Sequence, residues 1–544
     1  MSESTKKSMI SGAAVLAAAG LFVKFLGAFF RIPLGNMIGT VGMANYTPAY
    51  SLYNFLLVFS TTGLPVAVSK MVAERRAVGM YYEAERVFKL SRTLMVILGI
   101  AGCCFVYCFA DTIAQMVNVP GSALSMKATA PALVLVPLMA SYRGYFQGMQ
   151  EMSPTALSQI VEQVFRVGIG LSLAIVLMNS TLFTDFTAQE RGAAGGCFGA
   201  SAGAFGGLLA VLVIYFIKRR KVKAEIRSDK EAKSEKSGKL IKRILWIAVP
   251  ITIGTAIMPI VNLVDAGIVS TRLVASGWSS IEAQDLYGQL TGFASPLVGF
   301  PQILTQAVVL SLVPMVSAAF RKKDTLELHN SLNLGFRMSM IIGIPCATGL
   351  FVLAKPVLML LYYTQKESAI SATPCLQILA VGFVFLSIVL TITGGLQGIT
   401  KQMIPVINLF IGVVMKFVIT WVLVAVPVIN VKGAAIGTVC AYAIAATLDT
   451  VFLIRYTKVK FPWGKIFVKP LISSLIMGAA ALVIYKAAFA ITASNLLGTA
   501  VSILVAIPLY GVLVIKTKAI SRDEMMGISI GRKLARICDR LHLW

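Results

Sequence analysis

Histidine is nearly absent from this sequence, which has two histidines among 544 residues. His329 and His542 stand far apart, and the eight cysteines are scattered without a Cys-x-x-Cys spacing. No set of ligands with the spacing of a zinc site can be assembled, so we expect no metal centre. Cys103 and Cys104 fall in an apolar segment, which is typical of small buried hydrophobic residues.

Charge is also scarce, because Asp, Glu, Lys and Arg make up 13% of the chain against 57% hydrophobic residues. A soluble globule of this composition would leave apolar surface in water, so the composition predicts an integral membrane protein. The sequence has no Gly-x-x-x-x-Gly-Lys-Ser/Thr loop, no soluble domain large enough for a nucleotide fold and no His or Asp cluster. These absences argue against an ATP-driven pump and against an enzyme, and we expect no catalytic residue.

Long apolar runs dominate the sequence. About fourteen of them have the roughly 20 residues needed to cross a hydrocarbon core, which predicts an all-α polytopic fold. If the N-terminus is cytoplasmic, the cytoplasmic segments hold 37 of the 49 Lys and Arg residues. This asymmetry predicts that both termini are cytoplasmic, and it explains the net charge of +26 without a nucleic acid partner.

The two halves of the chain share a pattern. Gln147-Gly148 precedes Arg166 by the same spacing with which Gln397-Gly398 precedes Lys416. Since each copy would hold six spans, the pattern predicts two six-helix bundles related by a parallel repeat, followed by two more helices. The predicted segments are the N-terminal bundle 1–217, a basic cytoplasmic linker 218–243, the C-terminal bundle 244–455, helices 13 and 14 in 456–516, and a cytoplasmic tail 517–544.

Five basic residues lie within predicted spans, and four of them are candidate site residues. Lys24 and Arg31 are seven residues apart on one helix face, and Arg166 and Lys416 occupy matching positions of the two repeats. Arginine forms forked hydrogen bonds to phosphate oxygens and lysine supplies a point charge. The four residues therefore predict a substrate-binding cleft for an anion. The alternatives are that Lys24 and Lys416 extend toward a membrane interface, and that Arg31 binds carbonyl groups freed at a kink next to Pro33.

Acidic residues are fewer in these spans. Glu162 lies four residues before Arg166, which predicts an ion pair that is either purely structural or tunes the charge of a binding site. Asn262 and Asp265 are candidates for coupling to Na⁺ or H⁺, the alternative for Asp265 being a contact with Arg272. For Asp449, near the end of its span, we expect a contact with Arg455. No other cofactor is expected.

Three stretches resemble a known family. They are Gly63–Lys70 (Gly-Leu-Pro-Val-Ala-Val-Ser-Lys), Arg143–Gln150 (Arg-Gly-Tyr-Phe-Gln-Gly-Met-Gln) and Glu162–Arg166 (Glu-Gln-Val-Phe-Arg). With the fourteen-span plan, they closely resemble the polysaccharide-exporter branch of the multidrug/oligosaccharidyl-lipid/polysaccharide (MOP) exporter superfamily. More narrowly, the chain resembles the group that contains stage V sporulation protein B and the Gram-positive lipid II flippases.

This resemblance implies a flippase in the bacterial plasma membrane. Its substrate would be an anionic undecaprenyl-pyrophosphate-linked glycan, in particular the peptidoglycan precursor lipid II, moved from the inner to the outer leaflet by alternating access. Lys24 and Arg31 fall where the family carries a basic pair around a Leu-Gly, here Leu26-Gly27. The sequence has Ala294–Leu297 (Ala-Ser-Pro-Leu) where Gram-negative members carry a further basic residue, so Arg166 or Lys416 would have to replace it.

Two other functions fit the sequence. One is a cation-coupled multidrug antiporter of the same superfamily, although such a protein would prefer surplus carboxylates in its cleft. The other is a scaffold that transports nothing and recruits cell-wall synthesis proteins through the basic linker 218–243.

Overall fold

The computed structural model describes residues 3–227, 229 and 235–520, and these residues form α-helices without a β-strand. The helices group into two compact units, which divide between Gly288 and Gln289. The all-α prediction is confirmed. The predicted tail 517–544 is described only as far as Ile520, and His542 lies outside the described residues.

The first unit contains nine helices among the described residues. These are α1 (Glu3–Val58), α2 (Leu64–Ala77), α3 (Tyr81–Met116), α4 (Ser122–Thr129), α5 (Ala132–Gly148), α6 (Ser153–Met178), α7 (Ala188–Arg227), α8 (Ser237–Ala275) and α9 (Ser280–Gly288). A π-helical turn, Phe59–Gly63, joins α1 to α2.

The second unit begins with a π-helical turn, Gln289–Ala294, and another, Gly464–Val468, precedes its last two helices. Its helices, as far as the structure describes it, are α10 (Ser295–Lys322), α11 (Thr325–Val352), α12 (Ala354–Leu361), α13 (Lys366–Ser371), α14 (Thr373–Gly398), α15 (Met403–Val424), α16 (Lys432–Thr457), α17 (Lys469–Thr492) and α18 (Asn495–Lys516). Buried side chains of α10, α11, α14 and α16 form its main apolar core.

Local sequence explains where several helices start. Pro154 occupies the first turn of α6, where a missing N–H costs nothing. Asp324 caps α11 by accepting a hydrogen bond from the Glu327 N–H at 2.9 Å, and Ser494 caps α18 in the same way.

The first helix bends at Gly39, whose dihedral angles (φ 67°, ψ −174°) are not helical. Pro33 lies inside the helix, and the backbone leaves helical geometry six residues later, so the kink next to Pro33 stays a prediction. Glycine alone adopts these angles readily, since it has no Cβ. A sequence reading that relies on proline overlooks this bend.

Twelve helices in the described part of the chain are long and apolar enough to cross a membrane. The chain is therefore a multi-pass membrane protein, and the number fourteen stays a prediction. The first of the twelve, Ala18–Val58, contains the bend at Gly39.

The compact units differ from the predicted bundles 1–217 and 244–455. Helices α8 and α9 belong to the first unit, so the division falls at Gly288 rather than in the linker 218–243. The compact units are defined by contacts between helices, whereas the predicted bundles rest on a repeat in the sequence. The parallel repeat therefore stays a prediction.

The described ends of the linker are held against the α2–α3 region of the first unit by ion pairs. Their nitrogen–oxygen pairs are Arg75–Glu235 at 3.3 Å, Arg76–Glu225 at 2.8 Å and Arg243–Glu74 at 2.9 Å. Asp229 also accepts a hydrogen bond from the Tyr82 N–H at 2.9 Å.

Helices α6 and α7 pack through glycine. A Cβ added at Gly195 would lie 2.6 Å from the Leu173 carbonyl oxygen, and one at Gly199 would lie 2.7 Å from that of Arg166. The run of small residues in 192–207 is therefore a helix-packing face, as its composition predicts. This contact fixes the part of α6 that carries Glu162 and Arg166.

Candidate functional site

Glu162 holds two arginines in the first unit. Its Oε1 pairs with Nη2 of Arg166 at 3.0 Å, and its Oε2 pairs with Nη2 of Arg143 at 3.0 Å. Arg143 also donates from Nε to the Ser158 hydroxyl at 2.8 Å. All three charged side chains are 13–14% exposed. The predicted contact between Glu162 and Arg166 is present, but the carboxylate is shared, which leaves the pair of arginines with one positive charge in excess.

Arg166 connects this ion pair to a row of tyrosines on α1. Its Nη1 donates to the Tyr50 hydroxyl at 3.3 Å. Its Nε is buried and has no acceptor. The guanidinium is thus held on two sides, by Glu162 and by Tyr50, through two of its five N–H donors.

Arg31 lies over the same tyrosines. Its guanidinium carbon is 5.7 Å from the ring centroid of Tyr50 and 6.0 Å from that of Tyr46. The two rings are stacked, with centroids 5.4 Å apart. Cation–π contacts of this kind stabilise an arginine side chain by about 0.5–2 kcal/mol. Tyr50 therefore contacts both Arg31 and Arg166.

We call Arg31, Arg143, Glu162 and Arg166, with Tyr46 and Tyr50, the arginine–tyrosine cluster. Three guanidinium groups and one carboxylate give it a net charge of +2. Sequence reasoning placed Arg31, Glu162 and Arg166 among the site residues but assigned no role to Arg143, Tyr46 or Tyr50.

Lys24 lies on α1 two turns before Arg31, and its side chain is exposed. Between them Gly27 faces α6, since a Cβ there would lie 4.0 Å from Oε1 of Gln163. That oxygen is buried without a donor. Lys24 thus extends the cationic face of α1 beyond the cluster, and its role in binding stays a prediction.

Asp265 is half-buried on α8. Both Asp265 and Arg31 lie close enough to the buried Tyr287 to interact with it electrostatically. Asn262, one turn earlier on α8, is exposed. The structure thus brings Asp265 to the Arg31 side of the first unit. The ion-coupling role of both residues stays a prediction.

Helix α9 is fastened to α1 next to the bend. The Thr40 hydroxyl donates a hydrogen bond to Oδ1 of Asp285. A Cβ at Gly288 would lie 2.0 Å from the Thr40 carbonyl oxygen, so only glycine permits this approach. This contact ties the α9 segment that carries Tyr287 to α1.

Lys416 is in the second unit, on α15, and its side chain is buried at 7% exposure. Helix α16 packs against it, because a Cβ at Gly437 would lie 3.2 Å from the Lys416 carbonyl oxygen. Burial argues against the alternative in which Lys416 extends to a membrane interface. Its equivalence to Arg166 stays a prediction.

Asp449 on α16 does not make the expected contact with Arg455. In the described part of the second unit its Oδ1 instead accepts a hydrogen bond from Nδ2 of Asn408 on α15, at 2.7 Å. The residue is fully buried. The position of Asp449 near the end of its span suggested Arg455 as the partner, but a neighbouring helix supplies the partner.

Comparison with family models identifies the chain. The model described as "Polysaccharide biosynthesis protein" matches residues 9–320, more than half of the chain, and the MatE model matches residues 290–422.

Three relatives come from Bacillus subtilis (strain 168). The uncharacterized membrane protein YabM is 30% identical over 80% of this chain and 78% of its own length. Lipid II flippase MurJ is 28% identical over 87% of this chain and 86% of its own, and stage V sporulation protein B is 26% identical over 98% and 100%.

Two solved structures share the fold. Lipid II flippase MurJ in an inward closed conformation gives a TM-score of 0.64 at 18% identity, covering 92% of this chain and 98% of the other. An inward-facing MATE family transporter of the MOP superfamily also gives 0.64, at 14% identity, covering 80% and 94%. The relatives and solved structures whose names state a role are a flippase and a transporter. The chain belongs to the polysaccharide biosynthesis protein family and has the fold of the MOP superfamily.

Proposed function

We propose that this protein moves a lipid-linked oligosaccharide with an anionic pyrophosphate head from the inner to the outer leaflet of the bacterial plasma membrane. The substrate we favour is lipid II, the undecaprenyl-pyrophosphate-linked precursor of peptidoglycan. The observation that carries the proposal is the net positive charge of the arginine–tyrosine cluster, which holds three guanidinium groups and one carboxylate.

The cluster suits a pyrophosphate for chemical reasons. Arginine presents a planar set of donors that matches phosphate oxygens, and an arginine held by aromatic rings loses little further freedom on binding. Arg31 and Arg166 are both positioned by Tyr50. A free donor on Arg166 and the exposed Lys24 would supply further contacts to the head group.

The relatives support the choice of substrate. One of them, 28% identical over 87% of this chain, is named a lipid II flippase. A drug antiporter for organic cations would require surplus carboxylate in its binding site, and the cluster has the opposite balance.

We infer that both termini face the cytoplasm, from the distribution of basic residues. The cluster would be exposed to one leaflet and then to the other. An inside-negative potential favours outward movement of an anion by about 2.3 kcal/mol per charge per 100 mV, so the potential alone can drive the step. If the cationic side chains move with the head group, this advantage shrinks, and Na⁺ or H⁺ at Asp265 would assist.

The test is leaflet exchange of fluorescent lipid II in proteoliposomes, with and without an imposed potential. We expect the double variant Lys24→Ala/Arg31→Ala to abolish exchange. The variant Lys127→Ala, which removes an exposed ion pair with Asp111, is the matched control and keeps it. Exchange at the wild-type rate in the double variant contradicts the proposal.

Dye efflux from the same vesicles and growth of cells separate the other two functions. Efflux of a cationic dye without lipid exchange would indicate a multidrug antiporter. Loss of growth support on deletion of residues 218–243, with no effect of the double variant, would indicate a scaffold for cell-wall synthesis proteins.

A further inference from the structure

The second unit contains a carboxyl group that the proposed function does not use. Asp449 on α16 has no exposed surface. Its Oδ1 accepts the hydrogen bond from Asn408 at 2.7 Å. The Thr393 hydroxyl of α14 lies close to the same carboxyl group, and Oδ2 is buried without a hydrogen bond of normal geometry. Three helices thus meet at one carboxyl group with one of its oxygens unsatisfied.

No cation neutralises this carboxyl group in the described part of the second unit. Helix α14 has no charged residue along its length, and on α15 the one charged side chain is Lys416, two turns beyond Asn408. The titratable groups on α16 itself and on α11, whose side chains share the same core, make no ion pair with Asp449. These are Lys432, Cys440, Tyr442, Arg455 and Tyr456 on α16, and Glu327, His329, Arg337 and Cys346 on α11.

Glu162 in the first unit shows the contrast. It is also an acid within a membrane span, but two arginines satisfy both of its oxygens. Burying a carboxylate without a counter-charge is far more costly than burying a neutral carboxyl group, which can also donate a hydrogen bond. The buried Oδ2 can bind a proton without any further ligand, whereas a metal ion would need several oxygen ligands around it.

We propose that Asp449, with Asn408 and Thr393, forms a proton-binding site of the second unit, which takes up and releases one proton as the transporter changes conformation. The proton binds Oδ2, while Asn408 keeps its hydrogen bond to Oδ1. Release requires α14, α15 and α16 to separate enough for water to reach the carboxylate. The site couples transport to a proton gradient, and its existence does not depend on which substrate is carried.

The experiment is infrared difference spectroscopy of the full-length protein in nanodiscs between acidic and alkaline buffer, with choline as the only cation. We expect the wild type to show the carbonyl band of a dehydrated, protonated carboxyl group that disappears at alkaline pH. The isosteric variant Asp449→Asn should lose this band. The variant Asn408→Leu should shift its frequency, because the hydrogen bond to Oδ1 is gone. Asp111→Asn, which removes an exposed carboxyl group, is the matched control and should keep the band.

Three outcomes would overturn the proposal. The first is a spectrum of Asp449→Asn that matches the wild type, with the variant shown to be folded by gel filtration and circular dichroism. The second is a wild-type band that persists across the whole pH range. The third is a carboxylate response to added Na⁺ that Asp449→Asn abolishes, which would make the site a sodium site. Since no substrate enters this measurement, its failure is distinct from failure of lipid II exchange.

Discussion

Gly203 of α7 approaches α6 so closely that a Cβ at Gly203 would lie 2.6 Å from the carbonyl oxygen of Glu162. The same Cβ would lie 3.0 Å from Cβ of Arg166. The glycine face of α7 therefore determines where α6 holds the ion pair. A change in the size of residue 203 on α7 would therefore move the Glu162–Arg166 ion pair on α6.

Replacing Gly203 by Ala should therefore displace α6. We expect a loss of about 1–3 kcal/mol in stability, typical of overpacking, and reduced lipid exchange because Glu162 and Arg166 move. Thermal unfolding in detergent and the proteoliposome assay measure the two effects. Gly168→Ala is the control, since nothing lies within 4 Å of a Cβ there. It should be neutral or stabilise α6 by up to about 1 kcal/mol.

Because Glu162 pairs with both Arg143 and Arg166, replacing Glu162 and replacing Arg166 should have unequal effects on stability. Glu162→Ala leaves two poorly exposed guanidinium groups without a counter-charge and should cost about 3–5 kcal/mol. Arg166→Ala should cost less, because Arg143 still neutralises Glu162. Its folded product should fail to exchange lipid II. Thermal unfolding and exchange rates distinguish the cases, and equal losses of folded protein from both variants would indicate a purely structural pair.

Arg31 should not tolerate lysine. An ammonium group lacks the planar face that lies over Tyr46 and Tyr50 and the forked donors that match phosphate. We expect Arg31→Lys to fold normally and to lower the rate of lipid II exchange about tenfold, which corresponds to about 1.4 kcal/mol. Tyr50→Phe keeps the ring under Arg31 and removes only the hydroxyl bound by Arg166. A rate for Arg31→Lys equal to that of the wild type would show that charge alone suffices.

Gly39 should resist any side chain. Its angles of φ 67° and ψ −174° lie in a region that is open almost only to glycine, so Gly39→Ala should cost about 1–3 kcal/mol. Gly20→Ala on the same helix has open space around its Cβ and is the control. Cysteine cross-linking between α1 and α9 would report whether the bend persists. Equal unfolding temperatures for the two variants would contradict a strained bend.

Sequence reasoning succeeded where an interaction is local. The four-residue spacing of Glu162 and Arg166 and the small-residue run on α7 follow from helix geometry, and both are present. It failed where the partner comes from a distant segment. Arg143 reaches Glu162 from another helix, and Asn408 reaches Asp449 across 41 residues. Those pairings depend on how helices pack, which no single periodicity encodes.

The bend in α1 was missed for a different reason. Proline lacks a backbone N–H, so a proline in a helix signals a possible bend from the sequence alone. Gly39 is one of 45 glycines, and the sequence does not distinguish it from the others. The bend lies next to Thr40, which contacts α9, and a contact with a distant segment is not visible in the local sequence. The tyrosines of the cluster were overlooked because aromatic residues at helical spacing are usually packing residues.

Helix α7 has one more consequence. Its 40 residues extend about 60 Å, about twice the thickness of a hydrocarbon core. Its glycine face packs against α6 in the first half of the helix, and Glu225 near the C-terminal end forms an ion pair with Arg76. A spin label near Glu225 would therefore lie in water, on the same helix that packs against Glu162. It would report conformational change at the cluster without a probe in the membrane.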